Sequence, residues 1–305
     1  MPQIVFFKIG RIMPEDRRVY YRPMQRPSVT VVIPVYNEEL IVRECIRSLF
    51  NQTFQPLDVV VVDDGSLDRS VDICRDLGMK VILQEHRGPG AARNLGAKEA
   101  KGNILVFIDA DMTFAPDYIE HLVAPIVHGK AIATCHWNER VANWENPWAR
   151  CHAWYFGLPD GLRQPPIPPP YEYVYRAVRK DFFLESGGYL EIEGWGEDSS
   201  IAIRTGVLAL IVPDAICFHR NVADMKEVFQ DALWRGRNLA VAKKKSLRLY
   251  ASTVLVYKNP LLEIVKGASL SISKKEPRLM VYSFLHSLGF ILGALHAHYT
   301  GYYLK

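Results

Sequence analysis

The chain has 305 residues, 49% hydrophobic and 23% charged, which is enough apolar material for one large domain or a domain with a tail. Its five cysteines (Cys45, Cys74, Cys135, Cys151, Cys217) lack CxxC spacing, which excludes a zinc ribbon or disulfide framework and fits a reducing compartment. The net charge of +4 is unevenly spread: residues 243–305 hold ten Lys/Arg and two Asp/Glu, leaving 27 basic and 31 acidic residues in the first 242.

Residues 1–27 are Arg-rich, with Pro2, Pro14, Pro23 and Pro27. They read as an extended arm, with no long apolar stretch and cleavage site to suggest a signal peptide. Apolar runs then follow at Val29–Ile33, Leu57–Val62, Lys80–Leu83, Ile104–Ile108 and Ala131–Cys135. Between them lie helical patterns at about 39–50, 68–77, 90–100 and 116–127. This alternation predicts an α/β fold, a parallel sheet with right-handed crossovers and helices on both faces.

Polar residues collect where these strands end, the edge at which open α/β sheets bind ligands. The first strand runs into Pro34-Val35-Tyr36-Asn37-Glu38. Proline stops the strand, and Asn37 is expected to cap the next helix. The Tyr36 ring suits packing on a base, and Glu38 suits accepting from ribose or base. The second strand ends in Val62-Asp63-Asp64-Gly65-Ser66-Leu67-Asp68. Adjacent acids repel unless something binds beside them, so one is expected to accept from a base N–H while the other orders the loop. Gly65 permits a tight turn, and Ser66 or Asp68 can cap the following helix. Gly88-Pro89-Gly90-Ala91-Ala92-Arg93-Asn94-Leu95-Gly96 matches neither a dinucleotide fingerprint nor a P-loop. It reads as a helix start packed on the sheet, with Gly88 at its mouth and Arg93 and Asn94 near the ligand.

The fourth strand leads into Asp109-Ala110-Asp111. In extended backbone, residues two apart share a side. Two hard oxygen donors there suit Mg²⁺ or Mn²⁺, which keep open positions for water and substrate phosphates. The competing reading is a turn with Asp111 as a helix cap.

The second half is less regular. Pro165–Pro170 cannot form a helix or central strand and reads as a stiff loop between an aromatic helix (about 146–157) and a strand near Glu172–Ala177. In Gly194-Trp195-Gly196-Glu197-Asp198 the acids are expected to open a helix, whose dipole stabilises their charge. Trp195 suits lying against a sugar ring, and a carboxylate there suits a general base. His219 follows the apolar stretches Leu208–Val212 and Ala215–Phe218. It either completes a metal site with Asp111 or is structural. A further helix is expected over about 224–244.

In order, Val32–Glu38, Val61–Ser66, Gly90–Gly96, Asp109–Asp111 and Glu197-Asp198 resemble the family 2 glycosyltransferases of the GT-A fold. The resemblance covers about residues 28–220. It implies a catalytic domain at 28–222, with a nucleotide-sugar half (28–135) and an acceptor half (136–222), followed by a basic helical region at 223–305. It implies inverting transfer of a sugar from a UDP- or GDP-linked donor. Asp64, with Asp63, would hold base and ribose beside Pro34, Tyr36 and Glu38. Asp109 would contact ribose or metal, and Ala110 would lie between the two acids. Asp111 would bind the cation bridging the phosphates, with His219 joining it. Asp198, with Glu197 beside it, would be the general base. The Gln-x-x-Arg-Trp motif of processive members is not present as such. Gln230-Asp231-Ala232-Leu233-Trp234-Arg235 is near it with Trp and Arg reversed, so a single transfer is expected, with Trp234 and Arg235 lining the acceptor side.

The tail carries one more signal. Leu279–Leu295 is mostly apolar, but 17 residues span about 25 Å, short of a ~30 Å hydrocarbon core. Ser283, His286, Ser287, Gly293, Ala294 and Ala297 fall near one stripe, and Gly289 and Gly293 form a small-xxx-small pair. The helix is expected to pack on a partner along that stripe, either the segment opening at Asn259-Pro260 or a second copy in a homodimer. The basic tail, with Lys274, Lys275 and Arg278 ahead of this helix, suits nucleic acid or anionic lipid, and its apolar content favours docking on the cytoplasmic face of a membrane. That placement suits a glycan or polyprenyl-phosphate acceptor. The competing functions are a sugar nucleotidyltransferase, whose glycine-rich basic loop would stand where Tyr36-Asn37-Glu38 is, and a non-catalytic nucleotide-sugar binding module.

Overall fold

A computed structural model describes residues 23–55, 57–191, 196–242 and 259–300. Trp195 and most of the expected N-terminal arm lie outside the described residues. The first half alternates as expected: β1 (Val29–Val35), α1 (Val42–Phe50), β2 (Asp58–Asp63), α2 (Ser70–Asp76), β3 (Lys80–Leu83), α3 (Pro89–Glu99) and β4 (Ile104–Phe107). Then come β5 (Met112–Phe114), α4 (Tyr118–Val127), β6 (Ala133–His136), β7 (Glu139–Val141) and α5 (Pro147–Tyr155). The rest is β8 (Tyr171–Glu172), β9 (Ala177–Arg179), α6 (Lys180–Glu185), α7 (Ser200–Thr205), β10 (Ala209–Val212), β11 (Cys217–His219), α8 (Met225–Ala242), α9 (Pro260–Lys274) and α10 (Arg278–Thr300).

Eight strands form one sheet in the order β3-β2-β1-β4-β9-β6-β10-β8. The pairs β3/β2, β2/β1, β1/β4 and β6/β10 are parallel. Strand β1 is buried on both faces. Val29, Val31, Ile33 and Val35 pack with Ile46 and Leu49 of α1 and Leu122 of α4. Val32 faces the other way, toward Ala97 of α3, Phe183 of α6 and Ile201 of α7. The two-residue alternation of a strand thus distributes helices to both faces. Helix α3 approaches closely because Gly96 has no side chain: a Cβ there would collide with Val32 and lie 3.2 Å from Val62 Cγ2.

Two expectations are corrected. The sheet is mixed, because β9 runs antiparallel between β4 and β6. The strand expected near Glu172–Ala177 is two strands, β8 at the sheet edge and β9 at its centre. A second sheet, β5-β11-β7, sits beyond the end of β4 and carries His219.

The tail stripe finds its partners inside the chain. Gly289 faces Phe229 of α8, whose carbonyl oxygen would lie 2.7 Å from an added Cβ, and Gly293 and Gly236 meet the backbone of the opposite helix. Gly267 of α9 faces Ser283, whose Oγ would lie 2.6 Å from such an atom. The small face is therefore used against α8 and α9, which leaves it unavailable to a second copy. Asn259 caps α9, its side chain accepting from the Leu261 N–H. Gly293→Val should force α8 and α10 apart, since the obstacle is backbone rather than a movable side chain. A loss of about 3 kcal/mol is expected, read as a lowered urea midpoint with earlier protease cleavage in the tail.

Candidate active site

The loops after β1 and β2 are built against each other. Parallel pairing sets Val35 beside Asp63, and the Asp64 N–H donates to the Val35 carbonyl at 2.8 Å. Asn37 does not cap α1, which starts only at Val42. It adopts a left-handed conformation with φ 57°. Its N–H donates to Ser66 Oγ at 3.0 Å and its Oδ1 accepts from the Leu67 N–H at 2.8 Å, so the asparagine ties the loops together. Asp68 does serve the start of α2, accepting from the Ser70 N–H at 2.9 Å, and it also holds the Glu39 N–H at 3.0 Å.

The adjacent acids divide their work. Asp63 Oδ2 accepts from the N–H groups of Gly65 and Ser66, both at 3.1 Å, so this acid orders the turn. Asp63 Oδ1 is buried with no partner among the described residues. Asp64 reaches the loop between β3 and α3. Its Oδ1 accepts from Gln84 Nε2 at 2.6 Å and the Arg87 N–H at 2.8 Å. Its Oδ2 accepts from the Gly88 N–H at 2.8 Å and lies 2.9 Å from His86 Nδ1. The four acceptor positions of a carboxylate are thus filled. The Tyr36 ring stacks on His86 with centroids 4.1 Å apart, and Pro34 sits one residue before the end of β1.

The acids after β4 also part company. The strand ends at Phe107, and Asp109–Asp111 forms a turn closed by the Met112 N–H on the Asp109 carbonyl. The two carboxylates therefore do not share a side as extended backbone would require, and Ala110 between them is buried. Asp109 is held by Arg93 at 2.7 Å and Arg176 at 2.8 Å. Burial pushes its pKa up, but Arg176 and Arg93 override this and hold it well below the usual carboxylate range. Arg93 also pairs with Glu197 at 2.9 Å, from the far side of the site.

Asp111 turns instead to His219. Its Oδ2 lies 2.7 Å from Nε2, while Nδ1 lies 2.6 Å from Glu139 Oε1. Burial depresses the imidazole pKa, but the charge of Asp111 and the hydrogen bonds the ring donates to Asp111 and Glu139 raise it to about 9. Glu38 faces the same region. Burial, reinforced by the charges of Asp111 and Asp109, raises its carboxyl to about 8. An edge where a carboxylate must keep its proton is one where a cation would be welcome.

Glu197 and Asp198 lie in the turn ahead of α7 rather than in its first turn, which starts at Ser200. Glu197 is buried, and Asp198 is partly exposed and makes no hydrogen bond among the described residues. Trp234 and Arg235 lie along α8, where Trp234 is exposed and Arg235 pairs with Asp231 at 2.7 Å and stacks over Phe156. The structure thus gathers Glu38, Arg93, Asp109, Asp111, Glu197 and His219, and sets Tyr36, Asp63, Asp64 and Gly88 in the adjoining loops. Sequence reasoning missed Arg176, Glu139 and His86. Arg176 had a signal, a lone charge inside the apolar run Tyr173–Val178. Glu139 had none, since His219 is 80 residues away. A cleft of about 610 Å³ lined by Arg26, Lys101 and Lys180 opens beside the start of β4, and none of these site residues line it.

Among the described residues no three His, Cys, Asp or Glu side chains form a metal cage. Asp111 Oδ2 and His219 Nε2 are a converging pair. An incomplete set of this kind fits Mg²⁺ or Mn²⁺, which take one or two protein groups and complete their shell with phosphates and water.

The mixed sheet with helices on both faces, and polar residues gathered where its central strands end, is an α/β fold of the GT-A type. The family described as glycosyl transferase family 2 matches residues 30–185, just over half of the chain. The chain belongs to that family. It is 41% identical over 105 residues to EpsH of Bacillus subtilis, covering 33% of this chain and 30% of that protein. It is 40% identical over 109 residues to the glycosyltransferase GlyA of Streptococcus pneumoniae, covering 34% of this chain and 16% of that protein. The match thus spans a third or less of these relatives. Among solved structures, S. aureus TarS 1-349 in complex with UDP has a TM-score of 0.52 at 16% identity, with 91% of this chain and 93% of that one covered. The mannosyltransferase PcManGT from Pyrobaculum calidifontis, in complex with GDP-Man and Mn2+, has a TM-score of 0.53 at 18% identity, with 88% of each chain covered. These two likenesses show the fold.

Glu38 sets a pH dependence for the metal-free protein. Its folded pKa of about 8 lies above the ordinary 4.5, so the stability it contributes is full below about pH 4.5 and is lost as pH rises toward 8. Urea midpoints in EDTA between pH 5 and pH 8 should fall more steeply for wild type than for Glu38→Gln.

Proposed function

We propose that the protein transfers a single sugar from a UDP- or GDP-linked donor to an acceptor hydroxyl or phosphate, with inversion. The observation that carries this reading is the cluster beyond the end of β4, where Asp109 is held by Arg93 at 2.7 Å and Arg176 at 2.8 Å, and Asp111 Oδ2 lies 2.7 Å from His219 Nε2. The shared fold with PcManGT, solved with GDP-Man and Mn2+, and TarS, solved with UDP, supports it.

In this reading Pro34, Tyr36, Glu38, Asp63, Asp64 and Gly88 frame the nucleotide. Asp64 accepts a base N–H by releasing a side-chain donor, Gln84 or His86. Arg93 keeps Asp109 in place toward the ribose. Asp111 and His219 hold the divalent cation, Mn²⁺ or Mg²⁺. When bound, that ion neutralises charge building on the departing diphosphate. Asp198, partly exposed and unengaged, is the general base, while Glu197 is committed to Arg93. Asp198 takes the proton of the acceptor hydroxyl as its oxygen bonds to the anomeric carbon. The bond from that carbon to the diphosphate oxygen breaks on the opposite side, and its electrons leave with the nucleotide. The configuration inverts in one step. Trp195, Trp234 and Arg235 belong to the acceptor side. The tying-up of Asn37 with Ser66 and Leu67 disfavours a nucleotidyltransferase, which needs a free glycine-rich loop there.

The tail is proposed to dock on an anionic membrane at the cytoplasmic face, bringing a glycan or polyprenyl-phosphate acceptor to the site. Helix α10 exposes Met280, Phe284, Leu288 and Leu292, spaced by four residues, and α9 exposes Leu261, Ile264 and Val265. Lys274, Lys275 and Arg278 lie at the junction of α9 and α10, where Lys274 pairs with Asp160 at 3.4 Å and Arg278 with Glu276 at 3.0 Å, and their positive charge suits anionic headgroups. Half of the apolar window of α10 is buried within the protein, which favours lying on the bilayer over crossing it.

Calorimetry with UDP and GDP, each with Mn²⁺ and with EDTA, tests the donor site. Metal-dependent binding of one nucleotide is expected, lost in Asp111→Ala. Asp198→Asn should bind as wild type yet lose about 10²-fold or more in transfer; near-normal transfer removes Asp198 as the base. Flotation with phosphatidylglycerol vesicles tests the tail. Wild type should float and Phe284→Glu/Leu288→Glu should not; a soluble dimer broken by the same change would assign the face to a second copy.

A further inference from the structure

His219 is gripped from two sides, and only one side belongs to the cation site. Nε2 faces Asp111 Oδ2 at 2.7 Å, and Nδ1 faces Glu139 Oε1 at 2.6 Å. Glu139 comes from β7, which pairs in parallel with β11, the strand that ends at His219. The acid is 7% exposed and anchored independently of the histidine. Arg163 Nε lies 2.9 Å from Glu139 Oε1, and the Arg163 N–H donates to the Glu139 carbonyl at 2.9 Å. Arg163 is in turn held by the Arg220 carbonyl at 2.9 Å, and the Arg220 N–H donates to the Asp111 carbonyl at 3.4 Å.

Arg163 already neutralises Glu139, so the acid does not need His219 for charge balance. What the contact adds is orientation. A ligating imidazole must present a lone pair on one nitrogen and carry its proton on the other. We propose that Glu139 is a positioning residue for the divalent cation: it accepts the Nδ1–H of His219 and so leaves Nε2, the nitrogen on the Asp111 side, as the one that gives up its proton and offers a lone pair to the ion. This rests on the reading that Asp111 and His219 hold the ion. Outer carboxylates of this kind fix the tautomer and ring angle of metal-bound histidine, and their loss weakens metal binding about 10–100-fold.

Mn²⁺ binding is the readout, followed by the free-ion electron paramagnetic resonance signal in the presence of whichever of UDP or GDP binds. Glu139→Gln should weaken Mn²⁺ by about 10-fold or more while nucleotide affinity in EDTA is unchanged. In a His219→Ala background the same change should have no further effect, which a general structural role would not produce. A Glu139→Gln protein that folds and binds Mn²⁺ within about twofold of wild type overturns the proposal, as does a loss that persists without His219. A second measurement needs no variant at Glu139. In ¹⁵N-histidine-labelled wild type with Mg²⁺ and nucleotide, the His219 resonances, assigned by their absence in His219→Ala, should show the proton on Nδ1; a proton on Nε2 overturns the proposal. Wild type that binds no Mn²⁺, or binds it equally well as Asp111→Ala, sinks the cation reading and this inference together. Normal wild-type binding with an indifferent Glu139→Gln sinks this inference alone.

Discussion

The site depends on one buried charge network, Asp109 held between Arg93 and Arg176 with Glu197 closing the far side. These residues come from four places: the end of β4, the first turns of α3, the residue before β9, and the turn before α7. Bringing two guanidinium groups out of water is costly unless each meets a carboxylate at hydrogen-bonding distance. Here the contacts run from 2.7 to 2.9 Å. The Arg93–Glu197 pair is buried on both sides, and removing one member of such a pair costs about 3–5 kcal/mol, because its partner is left charged and poorly hydrated. The network therefore acts as a clamp that sets where β4 ends relative to α3. Strand pairing delivers one of its members: β9 runs antiparallel beside β4, and the Arg176 carbonyl accepts from the Phe107 N–H at 2.8 Å, which sets the Arg176 side chain against Asp109.

With Asp109 committed to the arginines, the remaining acids take separate duties. Asp63 closes a turn, Asp64 collects the loop before α3, and Asp111 faces His219. Glu38, buried beside Asp111 and Asp109, keeps its proton to higher pH than an ordinary carboxyl. Physical surroundings thus sort chemically similar side chains. The same logic separates Glu197 from Asp198, adjacent in the chain yet one ion-paired and the other open.

The strands and helices of the first half were legible because a strand buried on both faces must be an unbroken apolar run, and Val29–Val35 and Ile104–Phe107 are such runs. Strand β9 was not legible as a separate element, since three residues carry no period of their own and long-range pairing fixes their direction. The two acids after β4 were found, but their relation was misjudged because extended backbone was assumed where a turn intervenes. Asn37 was read as a helix cap from local preference. Its left-handed backbone serves a contact to residues 66 and 67, a tertiary demand that local rules do not see. Glu139 and His219 meet across 80 residues through a small second sheet, and no spacing rule anticipates that.

The tail shows the same limit in a different form. Its small-residue stripe was visible as helical periodicity, which says that something packs closely there but not what. The backbone of α8 and the face of α9 fill that role, so the glycines are spent inside the chain. Consuming the small face turns the large apolar side chains of α10 outward, beside the exposed leucines of α9. One packing choice thus creates the other surface. A helix whose inner half is buried in protein does not present an apolar girdle all round, so its exposed apolar side chains form one face rather than a belt. The helix that carries this exposed apolar face also packs on α8, and Glu227 in the first turn of α8 is bonded to Arg220 at 2.9 Å, next to His219. The apolar face and the acids of the site are therefore connected through α8.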